Sequence, residues 1–155
     1  NISVDLRDID LVEMINQTNG EFEEKFSEKG LSIISNTPSS GVMIKADGRH
    51  LWRVLENLYN NAFKYAAKNS RIYIDIISDN TGATFVIKNI SENPLNIRPD
   101  ELTERFVRGD VSRTTEGSGL GLSIAKSLTI LQGGKFDIII DGDLFKVQIK
   151  FEKVA

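Results

Sequence analysis

The sequence predicts an α+β fold: a two-layer α/β sandwich whose mixed, mostly antiparallel sheet is covered on one face by helices. Two observations carry this. Strand-like runs with period-2 alternation come in pairs around short polar turns, as hairpins do: Ile72–Ile76 with Ala83–Lys88, and Lys135–Ile140 with Phe145–Phe151. Three longer stretches carry apolar residues at helical spacing, each with a single apolar stripe, so all three must share one face of the sheet.

In chain order, Ile2, Val4 and Leu6 alternate as a short strand over Ile2–Leu6. From about Asp8 the period lengthens, with Val12, Ile15, Phe22 and Phe26 on one stripe, Gly20 in mid-helix and Gly30 as the stop. Leu31–Ser35 and Val42–Ala46 read as strands joined by the turn-rich run 36–41. Asp47 is placed to cap a long helix to about Ala67, with Leu51, Val54, Leu55, Leu58 and Ala62 as its stripe. The turn Asp79-Asn80-Thr81-Gly82 closes the first hairpin. Asn89–Thr115 is long, polar and punctuated by Pro94 and Pro99, a connection of the kind that is functional or disordered. A third helix follows, with Leu120, Leu122, Ile124, Leu128 and Leu131 as its stripe, and Gly133-Gly134 ends it. In the closing hairpin, Phe145, Val147, Ile149 and Phe151 face one side around Asp141-Gly142-Asp143.

With 155 residues the chain has the size of one domain, and 40% hydrophobic with 26% charged residues is an ordinary globular balance. A net charge of −3 disfavours a general nucleic-acid or anionic-membrane surface. The absence of cysteine removes disulfides and thiolate metal sites and fits a reducing compartment. No apolar run approaches membrane-spanning length, no signal peptide opens the chain, and its start at Asn1 without Met suggests a piece of something longer.

Two stretches carry candidate chemistry. Gly117-Ser118-Gly119-Leu120-Gly121-Leu122 runs straight into the third helix. Alternate glycines let main-chain N–H groups approach an oxyanion, and a helix opening adds unpaired N–H groups and the positive dipole end. Such a run also occurs as a flexible connector, and here it lacks the ending of a Walker loop and the leading strand of a dinucleotide fingerprint. In the long helix, Asn57, Asn61 and Lys64 fall at i, i+4 and i+7 on one stripe beside the apolar one. Amide oxygens and an ammonium in line suit a Mg²⁺-bound polyphosphate, although the same spacing is also that of a solvated helix face.

Together these stretches resemble a known family. Asn57-Leu58-Tyr59-Asn60-Asn61-Ala62-Phe63-Lys64-Tyr65 is similar to the N box of bacterial sensor histidine kinases. Glu104-Arg105-Phe106-Val107-Arg108-Gly109-Asp110 resembles their F box, and Gly117–Leu122 their second glycine box, in the family's order. The resemblance covers nearly the whole chain and is to the ATP-binding catalytic domain shared by histidine kinases, gyrase, mismatch-repair ATPases and a heat-shock chaperone. It implies a Bergerat-type pocket binding ATP and Mg²⁺ between helices and sheet. By the match, Asn61 is the Mg²⁺ ligand, Asn57 its partner near the phosphates, Lys64 a phosphate contact and Tyr65 a wall of the cleft. Gly117, Gly119 and Gly121 give N–H groups to the phosphates within the segment that also holds Ser118, Leu120 and Leu122. Residues 93–116 form a flexible lid, with Phe106 as its anchor and Arg108, helped by Arg113 and Thr114, reaching the phosphates or a partner domain.

One motif departs from the family. Where its first glycine box reads Asp-x-Gly-x-Gly, this chain has Asn89-Ile90-Ser91-Glu92-Asn93. Asn89 keeps an acceptor for the adenine amino group without the charge, and neutral hydrogen bonds are about half as strong as charge-assisted ones. Asn89 is expected to read adenine nonetheless.

The chemistry expected from the resemblance is kinase rather than hydrolase. The position where hydrolytic relatives place a water-activating Glu holds Asn57, and Glu56 points about 100° round the helix. The only histidine, His50, lies about 16 Å along the helix from Asn61 and in no acceptor-like context, so it is expected to be structural or surface. The implied partners are a histidine-bearing dimerisation domain of the same full-length protein and a downstream response regulator. The full-length protein is then expected to be a homodimeric, membrane-anchored sensor, and this piece a monomeric cytoplasmic domain. A serine-directed kinase of the same fold, a non-catalytic nucleotide-gated interaction module and a plain hydrolase stand as alternatives.

Overall fold

A computed structural model describes residues 2–95 and 120–154. A five-stranded sheet runs in the order β2-β4-β5-β7-β6, formed by β2 (Ser32–Asn36), β4 (Arg71–Asp79), β5 (Gly82–Ile90), β6 (Lys135–Asp141) and β7 (Leu144–Phe151). All its pairings are antiparallel except β2 with β4, which is parallel. Helices α1 (Leu11–Glu28), α2 (Gly48–Tyr65) and α3 (Leu120–Leu131) cover one face. The sheet side of the core is one alternating set: Ile72, Ile74 and Ile76, then Ala83, Phe85 and Ile87, then Phe145, Val147, Ile149 and Phe151, all buried. The helix side is supplied by Leu11, Ile15 and Phe26, by Leu51, Val54, Leu55 and Leu58, and by Leu122, Ala125 and Leu128. The fold class is therefore the one the alternation implies.

The differences are local. Ile2–Leu6 forms no strand; Ile2 is 59% exposed, and the first strand is β1 (Arg7–Asp10), paired antiparallel with β3 (Met43–Ala46) in a separate two-stranded sheet. The strands on either side of the run 36–41 belong to different sheets: β2 joins the large one and β3 the small one. On α3, Leu131 is 43% exposed and the buried stripe passes through Leu122, Ala125, Leu128 and Thr129 instead. Thr129 satisfies its hydroxyl within the helix by donating to the Ala125 carbonyl at 2.7 Å. Helix α1 runs unbroken through Gly20. Gly82 and Gly142 fit their turns for a physical reason. Gly82 has φ 155°, and a Cβ there would meet the Phe151 carbonyl oxygen at 2.5 Å; Gly142 has φ 63° in the two-residue loop between β6 and β7.

Candidate functional site

Helix α2 is the element that positions the site. Its strong amphipathic division buries Leu51, Val54, Leu55, Leu58, Tyr59 and Ala62 and leaves Asn57, Asn61 and Lys64 half-buried along the margin. Asp47 caps it, accepting from the N–H groups of Arg49 (3.0 Å) and His50 (3.1 Å). The same carboxylate accepts from the Asp5 N–H at 2.8 Å, and the Asp47 N–H donates to Gln132 Oε1 at 2.9 Å. The start of α2, the N-terminal arm and the end of α3 are thus fixed to one residue. At the other end, Lys29 Nζ donates to the carbonyl oxygens of Phe63 (2.5 Å) and Lys64 (3.1 Å), a cation at the negative end of the helix dipole. Lys25 Nζ adds a bond to Asn60 Oδ1 at 2.7 Å.

The two predicted halves of the site meet. At Gly121, the second residue of α3, a Cβ would lie 3.7 Å from both Cβ and Oδ1 of Asn57, so the opening of α3 packs directly on that asparagine. The end of β5 is tied to the end of α2 by main-chain bonds, from the Ala67 N–H to the Ile90 carbonyl (2.8 Å) and from the Glu92 N–H to the Tyr65 carbonyl (2.9 Å). Between Asn57 and Tyr65 the helix rises about 12 Å. A seam therefore runs along α2, with the opening of α3 at one end and the end of β5 at the other. Asn89 lies at the β5 end, 2% exposed and on the helix-facing side of the strand in the row Ala83, Phe85, Ile87. Tyr65 closes that end half-buried, and burial pushes its phenol pKa up.

The electrostatic signature of the seam is unfinished pairing. Among the described residues, three buried side-chain nitrogens have no hydrogen-bond partner: Asn57 Nδ2, Lys64 Nζ and Asn89 Nδ2. An unsatisfied buried polar group costs about 1–3 kcal/mol, so three along one seam need a reason. Glu56 is exposed, off the seam. His50 is held elsewhere: its Nε2 lies 2.8 Å from the Ser3 carbonyl oxygen and 3.7 Å from Asp47 Oδ2. Leu122 is buried; for Leu120 only its place at the start of α3 is described. Phe106, Arg108, Gly117, Ser118 and Gly119 lie outside the described residues, as does most of the segment 93–116 expected to form a lid.

Sequence reasoning passed over Tyr59, which is fully buried and stacks on Phe85 of β5 at 6.2 Å and on Phe26 of α1 at 6.1 Å. Its hydroxyl donates to Asn19 Oδ1 at 2.5 Å. The i, i+4, i+8 series Leu51, Leu55, Tyr59 is the signal that could have found it. Gln132, which joins α3 to the cap of α2, carries no comparable signal.

Comparison with known proteins shows the family. The profile of the family described as "Histidine kinase-, DNA gyrase B-, and HSP90-like ATPase" matches residues 46–153. The probable sensor protein PcoS of Escherichia coli is 32% identical over 152 residues, covering 96% of this chain and 32% of PcoS. The sensor protein VanS of Enterococcus faecium is 33% identical over 132 residues, covering 82% of this chain and 33% of VanS. This chain thus spans about a third of the length of either relative. Among solved structures, the catalytic domain of histidine kinase ThkA superposes with a TM-score of 0.80 at 25% identity, covering 96% of each chain. The mycobacterial sensor histidine kinase MprB superposes at 0.77 with 22% identity, covering 96% of this chain and 98% of MprB's. Among the described residues no helix is long and apolar enough to cross a membrane. The chain belongs to the histidine kinase-, DNA gyrase B- and HSP90-like ATPase family, as a histidine-kinase-type ATPase domain related to those of bacterial sensor kinases.

Proposed function

We propose that the chain is the single nucleotide-binding catalytic domain of a sensor kinase: it binds Mg-ATP and supplies the γ-phosphoryl group to a histidine on a separate dimerisation domain. The observation that carries this reading is the set of unpartnered buried nitrogens, because Asn57, Lys64 and Asn89 are residues a nucleotide would engage. In this reading Asn89 meets the base, Tyr65 walls the cleft, and Asn57 and Lys64 donate to phosphate oxygens. The N–H groups of the glycine run 117–121 approach the phosphates. Phe106 and Arg108 act from a lid over 93–116.

The donor set fits magnesium. Among the described residues no group of three His, Cys, Asp or Glu could hold an ion alone. Asn61 offers one hard amide oxygen, and Mg²⁺ characteristically takes one or two protein oxygens with its remaining places filled by water and phosphate. When bound, the ion neutralises charge developing on the transferred phosphoryl group. The protein's own contribution is positioning: a cleft wall, amide and ammonium donors, and, among the described residues of α2, no base on the seam, since Asn57 cannot accept a proton from water and Glu56 faces solvent. The phosphoryl group is thereby kept for an acceptor brought by the partner domain, with a response regulator downstream. The full-length protein is then a homodimeric, membrane-anchored sensor with this domain on its cytoplasmic side.

The test is incubation with γ-labelled Mg-ATP, alone and with the helical-hairpin domain of the same full-length protein. Expected are acid-labile, base-stable label on the hairpin histidine, its loss in Asn61→Ala, and no label on His50. Steady ADP release without acceptor would instead make the chain a hydrolase, and label on a serine of the partner would make it a serine-directed kinase.

A further inference from the structure

Asn89 is the one polar side chain in the helix-facing row of β5, following Ala83, Phe85 and Ile87, and it pairs in register with buried Phe145 of β7. It is 2% exposed, and its Nδ2 donates to nothing among the described residues. A carboxamide in an apolar row with its donor unused is a recognition element waiting for a ligand edge. What it recognises follows from its chemistry. A carboxamide carries one acceptor beside one donor of nearly the same size, and a half-turn about its terminal torsion exchanges them without changing its shape. Nδ2 has no described partner to hold it in one orientation.

We propose that Asn89 makes the base subsite indifferent to the purine 6-substituent, so that the domain accepts 6-oxo purine triphosphates about as well as ATP. The proposal rests on the nucleotide reading given above and adds the base specificity of that site. Adenine presents a 6-amino donor beside the N1 acceptor; Oδ1 accepts the first and Nδ2 donates to the second. Hypoxanthine presents a 6-oxo acceptor beside an N1–H donor; the turned amide donates to the first and accepts from the second. Either base is met by two hydrogen bonds, and neither leaves the amide unpaired. A carboxylate here would be different. With acceptors only, it can take one hydrogen bond from either base, from the 6-amino group of adenine or the N1–H of hypoxanthine, and sets a lone pair against the neighbouring acceptor in both.

Inosine triphosphate is the discriminating probe, since it differs from ATP only at this edge. Isothermal titration of the chain with Mg²⁺ and either nucleotide is expected to give dissociation constants within about threefold of each other, less than a well-made bidentate base contact normally discriminates. In Asn89→Asp, which can satisfy only one of the two groups on either base, both nucleotides should weaken by about tenfold or more. The wild-type comparison stands by itself if the variant fails to fold. Binding of ATP with inosine triphosphate weaker by more than the margin of about threefold overturns the inference and leaves the ATP reading intact. Failure to bind either nucleotide overturns the ATP reading, and the inference with it.

Discussion

Single residues carry the clearest conflict between folding and function. Lys64 Nζ is buried without a partner among the described residues, as are the amide nitrogens of Asn57 and Asn89. Each weakens the ligand-free fold and is worth keeping only if a ligand satisfies it. Replacing Lys64 by Met keeps the stem and removes the ammonium, so it should stabilise the ligand-free domain by about 1–2 kcal/mol. The same variant should bind Mg-ATP about tenfold more weakly or worse. Urea denaturation and calorimetry read the two signs separately; a destabilised variant with unchanged affinity would make Lys64 a structural residue. Part of this was legible from sequence. The i, i+4, i+7 spacing put Asn57, Asn61 and Lys64 on one margin, but spacing alone could not separate a ligand site from a solvated face. The unsatisfied nitrogens of Asn57 and Lys64 favour the ligand site, and they exist only once the neighbouring elements are in place.

Among the elements, α2 was read almost to its ends because Asp47 is a strong cap and the apolar stripe is wide. β1 was not, since Ile2, Val4 and Leu6 alternate as a strand should but pair with nothing, while Arg7–Asp10 is selected by long-range pairing with β3. Alternation reports a local preference; partners decide. The cap of α2 offers a test. The Asp47 carboxyl is held below its ordinary pKa by the Asp5 N–H, against the opposing effect of burial, with the His50 N–H, the charge of His50 and the Arg49 N–H adding to the lowering. A lowered carboxyl contributes stability that is present above the ordinary carboxylate range near 4 and is lost as pH falls through the folded value. Asp47→Ala should cost roughly 1–2 kcal/mol at neutral pH, and less in acid below the folded value, where the wild type has lost the same contribution. Urea midpoints at both pH values check this; an equal penalty at both would remove the carboxylate's charge from the account.

For the whole molecule, the sandwich is joined across its layers by an aromatic column. Phe22 and Phe26 of α1 pack on Tyr59 of α2, Tyr59 stacks on Phe85 of the sheet, and Phe63 of α2 stacks on Phe26. Phe85→Ala should destabilise by about 3–5 kcal/mol, seen as a lower melting temperature, because the fully buried ring cannot be replaced by collapse of the neighbours. A loss below about 1 kcal/mol would show that the two layers hold together without it. The two-layer class was legible because each helix has one stripe and the strands alternate, while the parallel β2–β4 pair was not, since parallel pairing leaves no turn signal in the sequence. The layers exist, in this account, to hold a triphosphate between α2, α3 and the end of β5. The most direct test is a crystal structure of the chain with Mg²⁺ and a non-hydrolysable ATP analogue. The expected result is the nucleotide along the margin of α2, with its metal on Asn61 Oδ1, its base at Asn89 and its phosphates at the opening of α3. A metal held away from Asn61, or a nucleotide bound off this seam, would contradict the account.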